Sequence, residues 1–168
     1  MHAVDSLKDV NHNYGMTLFE LLKSNLVFPK IFCASKDELI TILNKKIREV
    51  EHKLPLSEKE MLKTINMREQ IGGTLFPSGL SVPHARLQNF EDFVLAIGIP
   101  AQPLFHEGIE IRMAAIMITS QTGSPWYLSV LAALTKISRD SAYFSRLCKA
   151  ETPEEFLRIL KEKKIELE

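Results

Sequence analysis

A histidine between two arginines is the part of this sequence best suited to chemistry. The segment from Arg68 to Arg86 contains a glycine pair and ends in Val-Pro-His84-Ala-Arg86. An imidazole with its ordinary pKa of about 6.5 is largely neutral at neutral pH, so a ring nitrogen can attack phosphorus without a separate base. A nearby guanidinium would neutralise phosphoryl oxygens during in-line transfer. A histidine in this segment can therefore act as a nucleophile toward phosphorus, with Arg68 or Arg86 supplying the positive charge.

The same segment has a purely structural interpretation. A strand-end histidine that makes one backbone hydrogen bond, with both arginines in solvent, would also fit the pattern. Pro83 fixes φ at a predicted strand end, so we expect the His84 ring to lie on the rim of a sheet and meet solvent. Gly72-Gly73 alone serves equally well to end a helix, and no P-loop lysine follows it. His106 has no second His or Cys at ligand spacing, so we expect no metal site.

The elements that position this segment are indicated by caps and apolar runs. Ser35-x-x-Glu38, Ser57-x-x-Glu60 and Thr152-Pro153-x-Glu155 have the capping-box pattern, and Ser124-Pro125 is typical of a helix start. A short helix is predicted after Thr17. Short runs rich in Val, Ile and Phe predict strands at 27–33, 80–83, 93–99 and 113–119, and Pro29 favours an edge position for the first. This order predicts an α/β fold in which helices flank a small mixed β-sheet within a single compact domain.

Composition limits the classes of function. The chain has 168 residues with 45% hydrophobic content, enough for one domain with its own core. Its 21 basic and 21 acidic residues balance, so we expect no nucleic-acid partner. The longest apolar stretches, around 93–100 and 113–119, are far shorter than the roughly 20 residues that span a bilayer, so we expect no direct membrane insertion. Only two cysteines, Cys33 and Cys148, are present, which favours a cytoplasmic location. Residues 1–15 lack periodicity and are predicted to be a loose tail before a domain at 16–168.

The Gly-Gly-Thr-(x)4-Gly-Leu-Ser-Val-Pro-His-Ala-Arg stretch resembles the active-site signature of a known family. It is similar to the fructose/mannitol-type enzyme IIA domain of the bacterial phosphoenolpyruvate-dependent sugar phosphotransferase system. The family pattern begins with Arg-Glu, ends with Ile-Pro-His, and separates Arg from His as Arg68 and His84 are separated here. The likeness extends from about Thr17 to Lys163, and the length most resembles the nitrogen-regulatory branch.

This resemblance implies a function and a set of site residues. His84 would accept a phosphoryl group through Nε2 from the histidine-containing phosphocarrier protein or its nitrogen-branch paralogue, and Arg68 would stabilise the phosphate. Beyond the resemblance, we expect Thr74, Arg86, Ser81 or backbone N–H groups to complete the phosphate shell. The acceptor would be a IIB domain or a regulated protein that responds to the phosphorylation state. Neither a metal nor an organic cofactor is expected.

Two departures from the family pattern stand out. Leu75 and Pro77 replace two glycines in the loop before His84. Many members carry a second histidine at the start of a later helix, where this chain has Tyr127, predicted at the third helical position and expected to contact the phosphate. A tyrosine can donate one hydrogen bond to a phosphoryl oxygen but carries no positive charge at neutral pH.

A rival function belongs to another class. The cytoplasmic domains of anion exchangers resemble this family in architecture and perform no phosphotransfer. The altered loop and Tyr127 favour such a non-catalytic regulatory protein-interaction domain on the same fold. Arg68 and His84 at the family spacing favour a phosphotransferase, because a pure binding module needs neither.

Overall fold

Seven strands and six α-helices are present in residues 16–168, the part of the chain that the computed structural model describes. The strands are β1 Val27–Ile31, β2 Leu80–Ser81, β3 His84–Leu87, β4 Val94–Pro100, β5 Leu104–His106, β6 Ile109–Ile111 and β7 Met113–Ser120. The helices are α1 Leu18–Leu21, α2 Lys36–Val50, α3 Glu58–Ile71, α4 Pro125–Arg139, α5 Ser141–Cys148 and α6 Pro153–Lys161. The tail predicted over 1–15 lies outside the described residues.

Five of the strands form one mixed sheet in the order β1-β4-β7-β2, with β3 also paired to β7. β1 runs parallel to β4, β4 runs antiparallel to β7, and β7 runs parallel to both β2 and β3. Together β2 and β3 form one broken edge strand: Ser81 pairs with Ala114, and His84 pairs with Met117. The opposite edge is β1, which confirms the edge position predicted from Pro29.

Each face of the sheet is covered by helices. Alternate residues of β7 point to opposite sides, so Met113 and Met117 pack in one core while Ile116 and Ile118 pack in the other. The first core lies under α1, α4, α5 and α6, and the second lies under α2 and α3. The predicted α/β architecture of a mixed sheet flanked by helices is therefore confirmed. No helix within residues 16–168 has the length and apolar character needed to cross a bilayer.

The helix starts follow the predicted caps. Ser35, Ser57, Ser124 and Thr152 each accept a backbone N–H bond from the first turn of their helix. One element of the structure was not predicted from the sequence: β5 and β6 form a separate two-stranded hairpin. Glu107 and Gly108 join these strands with φ of 49° and 77°, the backbone conformation that a tight hairpin turn requires.

Candidate active site

The His84 imidazole is held from both of its nitrogens. Arg68 Nε donates a hydrogen bond to His84 Nε2 at 3.0 Å, so Nε2 must act as the acceptor. The ring proton of the neutral form therefore lies on Nδ1, which is 3.4 Å from the backbone carbonyl oxygen of Val82. This tautomer leaves the Nε2 lone pair as the nucleophilic site and directs that lone pair at a guanidinium.

The expectation that His84 ends a strand on an open rim is wrong. His84 begins β3, and its residue surface is only 5% exposed. The break at Val82-Pro83 is too short to end the pairing with β7, so the edge strand resumes at the histidine. The Tyr127 ring then packs beside the imidazole, with ring centroids 5.3 Å apart and planes inclined by 55°.

Burial keeps the His84 imidazole neutral. Desolvation is the largest influence and lowers the pKa of His84 below its ordinary value of 6.5, while the Val82 hydrogen bond opposes this shift. The positive charges of Arg68 and Arg86 lower the pKa further, and the Glu69 carboxylate raises it. Because the pKa falls, the uncharged nucleophilic form predominates at pH 7 and persists into mildly acidic solution.

Arg68 lies in the last turn of α3, where two glycines reverse the chain. Gly72 and Gly73 adopt φ of 91° and 82°, which a residue without a Cβ tolerates. Arg68 Nη1 donates to the Gly72 carbonyl oxygen at 2.9 Å while Nε contacts His84. These contacts use two of the five N–H donors of the guanidinium and orient its plane beside Nε2.

Tyr127 and Arg86 complete the cluster around the imidazole. A turn closed by Ser120 leads from β7 into α4, whose first residue is Pro125, so Tyr127 occupies the predicted third helical position. Arg86 follows His84 by two residues on β3, and its guanidinium carbon lies 5.8 Å from the centroid of the Tyr127 ring. The structure thus brings together four of the predicted site residues: Arg68, His84, Arg86 and Tyr127.

Thr74 and Ser81 have different surroundings. Thr74 Oγ1 donates its hydrogen to Glu69 Oε1 at 2.6 Å, so this hydroxyl proton is directed at a carboxylate and not at His84. The Ser81 hydroxyl is fully buried and has no hydrogen-bond partner among the described residues. Contact of either hydroxyl with phosphate stays a prediction, and for Thr74 it requires the bond to Glu69 to open.

Two charged residues next to the cluster were not identified from the sequence. Glu69 accepts the Thr74 hydrogen bond with one oxygen, and its other oxygen lies 2.6 Å from Lys36 Nζ. Glu69 could have been identified from the sequence because it directly follows Arg68. Lys36 could not, because it reaches the site only through the packing of α2 against α3.

The loop before His84 folds as a narrow hairpin in place of a glycine-rich turn. Leu75 bridges to Ser81, and the Gly79 N–H donates to the Phe76 carbonyl oxygen at 3.0 Å across Pro77-Ser78. Leu75 packs against one core and Phe76 against the other, so the hairpin caps the sheet edge. Leu75 therefore supplies packing that a glycine at its position could not.

Gly79→Ala is expected to destabilise this hairpin. Gly79 has φ of 95°, and a Cβ built there would lie 2.5 Å from the Glu110 carbonyl oxygen. Gly108, with φ of 77° and open space around it, provides the matched control. A positive φ alone costs about 1–2 kcal/mol, so Gly108→Ala should lower the free energy of unfolding by that amount. Gly79→Ala should cost at least ~1 kcal/mol more in urea denaturation; equal losses would show that the contact with Glu110 is not tight.

Comparison with known proteins places the chain in a family. Residues 20–163 match the family model described as "Phosphoenolpyruvate-dependent sugar phosphotransferase system, EIIA 2". A nitrogen regulatory protein of Klebsiella oxytoca is 24% identical over 161 residues, which cover 91% of this chain and 95% of that protein. The sequence similarity therefore extends over nearly the whole of both chains.

Solved structures share the fold. Nitrogen regulatory protein IIA-Ntr from Neisseria meningitidis superposes with a TM-score of 0.69 at 19% identity, covering 85% of this chain and 98% of that one. A chain from the complex of mannitol enzyme IIA with phosphorylated mannitol enzyme IIB of Escherichia coli superposes with a TM-score of 0.66 at 16% identity, covering 84% of this chain and 98% of that one. The family match over most of its residues, together with this fold, shows that the chain belongs to the EIIA type 2 family of the phosphoenolpyruvate-dependent sugar phosphotransferase system.

Proposed function

We propose that this protein is a phosphoryl carrier or regulator that accepts a phosphoryl group on His84 Nε2. The hydrogen bond from Arg68 Nε to Nε2 is the observation that carries the proposal, because it selects the tautomer in which the Nε2 lone pair faces a cation. The proposed phosphoryl-carrier domain comprises residues 16–168 and works in the cytoplasm. The family membership supports a phosphoryl-transfer role of this kind.

Transfer exchanges one P–N bond for another. Arg68 moves from Nε2 to a phosphoryl oxygen, and the freed Nε2 lone pair attacks phosphorus in line with the donor imidazole. The donor P–N bond breaks, and its electron pair returns to the donor ring nitrogen. The His84 ring becomes more positive as its new bond forms, and the Val82 carbonyl oxygen stabilises that charge through Nδ1–H. Arg68 and Arg86 offset the phosphoryl charge, and Tyr127 offers a hydroxyl donor.

Other proteins must approach His84 for both transfers. The proposed donor is the histidine-containing phosphocarrier protein or its nitrogen-branch paralogue. The proposed acceptor is a IIB domain, as in the mannitol complex, or a regulated protein that distinguishes the two phosphorylation states. Exposed apolar side chains adjoin the site residues in sequence: Met67 and Ile71 on either side of Arg68, and Leu128 after Tyr127. Exposed apolar side chains grouped in this way are typical of a protein–protein interaction site.

A labelling experiment tests this function. The protein is incubated with phosphoenolpyruvate, enzyme I and each phosphocarrier protein, and its intact mass is measured. We expect the addition of one phosphoryl group that acid removes and base does not. No labelling with either cognate phosphocarrier would favour the rival function, a regulatory domain that binds partners through this face without phosphotransfer.

Tyr127→His is expected to stabilise the phosphorylated form. The Tyr127 ring already lies beside His84, at the positive end of α4, so an imidazole there would face the phosphoryl group. A protonated histidine would add a charge-assisted hydrogen bond worth about 1.5–3 kcal/mol where water is excluded. The half-life of the phosphohistidine and its equilibrium with the phosphocarrier should both increase. Tyr127→Phe is the matched control, and unchanged values in Tyr127→His would mean that this side chain does not contact the phosphate.

A further inference from the structure

A shielded ion pair lies behind the phosphoryl site. Lys36, the first residue of α2, places its Nζ 2.6 Å from Glu69 Oε2, in the last turns of α3. The two side chains are only 10% and 11% exposed, so water screens this pair weakly. The chemistry proposed for His84 does not use either residue.

The Glu69 carboxylate is connected to His84 through a short path. Its other oxygen accepts the Thr74 hydroxyl at 2.6 Å, and the Thr74 carbonyl oxygen accepts the Val82 N–H at 2.8 Å. Val82 in turn presents its carbonyl oxygen to His84 Nδ1. Glu69 also directly follows Arg68, which contacts Nε2. Its position therefore affects the partner of Nε2 as well as the path that leads to Nδ1.

The charge of Glu69 acts on the same ring. The carboxylate raises the pKa of His84, against the effect of Arg68 and Arg86. A phosphoryl group on Nε2 carries up to two negative charges, so an uncompensated carboxylate at that place would repel it. An ammonium in contact with the carboxylate cancels most of this repulsion.

We propose that Lys36 is a positioning residue for the phosphoryl site: its ammonium holds the Glu69 carboxylate on Thr74 and neutralises the charge of that carboxylate next to the site. The consequence for transfer rests on the proposed function. The expected change in the His84 titration does not, because it is measured on the unphosphorylated protein.

Lys36→Met tests this role, since methionine keeps the length of the side chain and removes its charge. We expect the equilibrium with the phosphocarrier to shift against the phosphorylated protein by about three- to tenfold. Lys36→Arg should stay near wild type. In the double variant Lys36→Met/Glu69→Gln the repulsion is gone, and phosphorylation should return to within about twofold of wild type.

Lys23→Met is the matched control for the loss of an ion pair. Lys23 Nζ lies 2.9 Å from Glu51 Oε1, at the opposite end of α2, with both side chains partly buried. This variant should change the free energy of unfolding without changing phosphorylation. If Lys36→Met behaves in the same way, Lys36 has a structural role only and the proposal is wrong.

The His84 titration, followed by NMR in the unphosphorylated protein, separates this inference from the proposed function. The pKa of His84 should rise in Lys36→Met, fall in Glu69→Gln and lie between these values in the double variant. If the wild-type protein takes up no phosphoryl group, the proposed function is rejected, but the His84 titration still tests the role of Lys36. A His84 titration that is the same in all variants, or an unchanged phosphorylation equilibrium in a labelled Lys36→Met protein, would overturn the positioning role.

Discussion

His84→Gln is expected to take up no phosphoryl group from any cognate phosphocarrier protein. The glutamine amide can still accept the hydrogen bond that Arg68 donates to Nε2, so the surroundings of the site should be kept. An amide nitrogen has no available lone pair with which to attack phosphorus, whereas the neutral imidazole does. Labelling measured by intact mass should therefore fall to background, with the protein still folded by circular dichroism.

Two other histidines provide matched controls for this loss. His52 is exposed beyond the end of α2, and His106 lies partly exposed at the end of β5. His52→Gln and His106→Gln should each be labelled like wild type. Labelling that survives in His84→Gln, or that disappears in one of the controls, would place the phosphoryl group on another residue.

Arg68→Ala is expected to slow phosphoryl transfer by about 10²–10³-fold, the usual cost of removing one donor that faces developing negative charge. Arg68 is the residue in direct contact with Nε2, and it is held in place by the Gly72 carbonyl oxygen. Arg68→Lys should be intermediate, because an ammonium restores the charge without the planar pair of donors. Single-turnover transfer from the phosphorylated phosphocarrier gives the rates.

Stability should change little in Arg68→Ala. The side chain is half-buried at a helix end, so we expect the free energy of unfolding to stay within about 1 kcal/mol of wild type. Arg139→Ala is the matched control: this arginine is exposed in the last turn of α4, about 18 Å along the helix from Tyr127. Equal transfer rates in wild type and Arg68→Ala would mean that the charge comes from elsewhere, with Arg86 the next residue to replace.

Helix starts and main strands were predictable because their signals are local. The Ser57 and Glu60 side chains each accept a hydrogen bond from the other residue's backbone N–H, so the capping box can be recognised from four residues of sequence. Ser35 caps α2 in the same way, although Glu38 bonds the Ala34 N–H in place of the Ser35 N–H. The β5–β6 hairpin was missed because its strands have three residues each, too few for an alternating pattern.

The candidate site was predictable as far as the motif extends. The spacing of Arg68 and His84 predicted that the arginine returns to the histidine, and the 3.0 Å contact confirms this nearness. The burial of His84 was not predictable, because it depends on the pairing of β3 with β7 and on a ring from α4. Lys36 was missed for the same reason: its contact with Glu69 is created by the packing of two helices. The roles of these residues in phosphoryl transfer stay predictions.

The central claim is that Nε2 of His84 is the atom that accepts the phosphoryl group. Nitrogen-15 NMR of the phosphorylated protein tests it most directly, because the two ring nitrogens give distinct shifts and long-range proton couplings. We expect the phosphorylated nitrogen to be Nε2 of His84, with the proton retained on Nδ1 opposite the Val82 carbonyl oxygen. A phosphoryl group on Nδ1, on another residue, or on no residue of this protein would contradict the account.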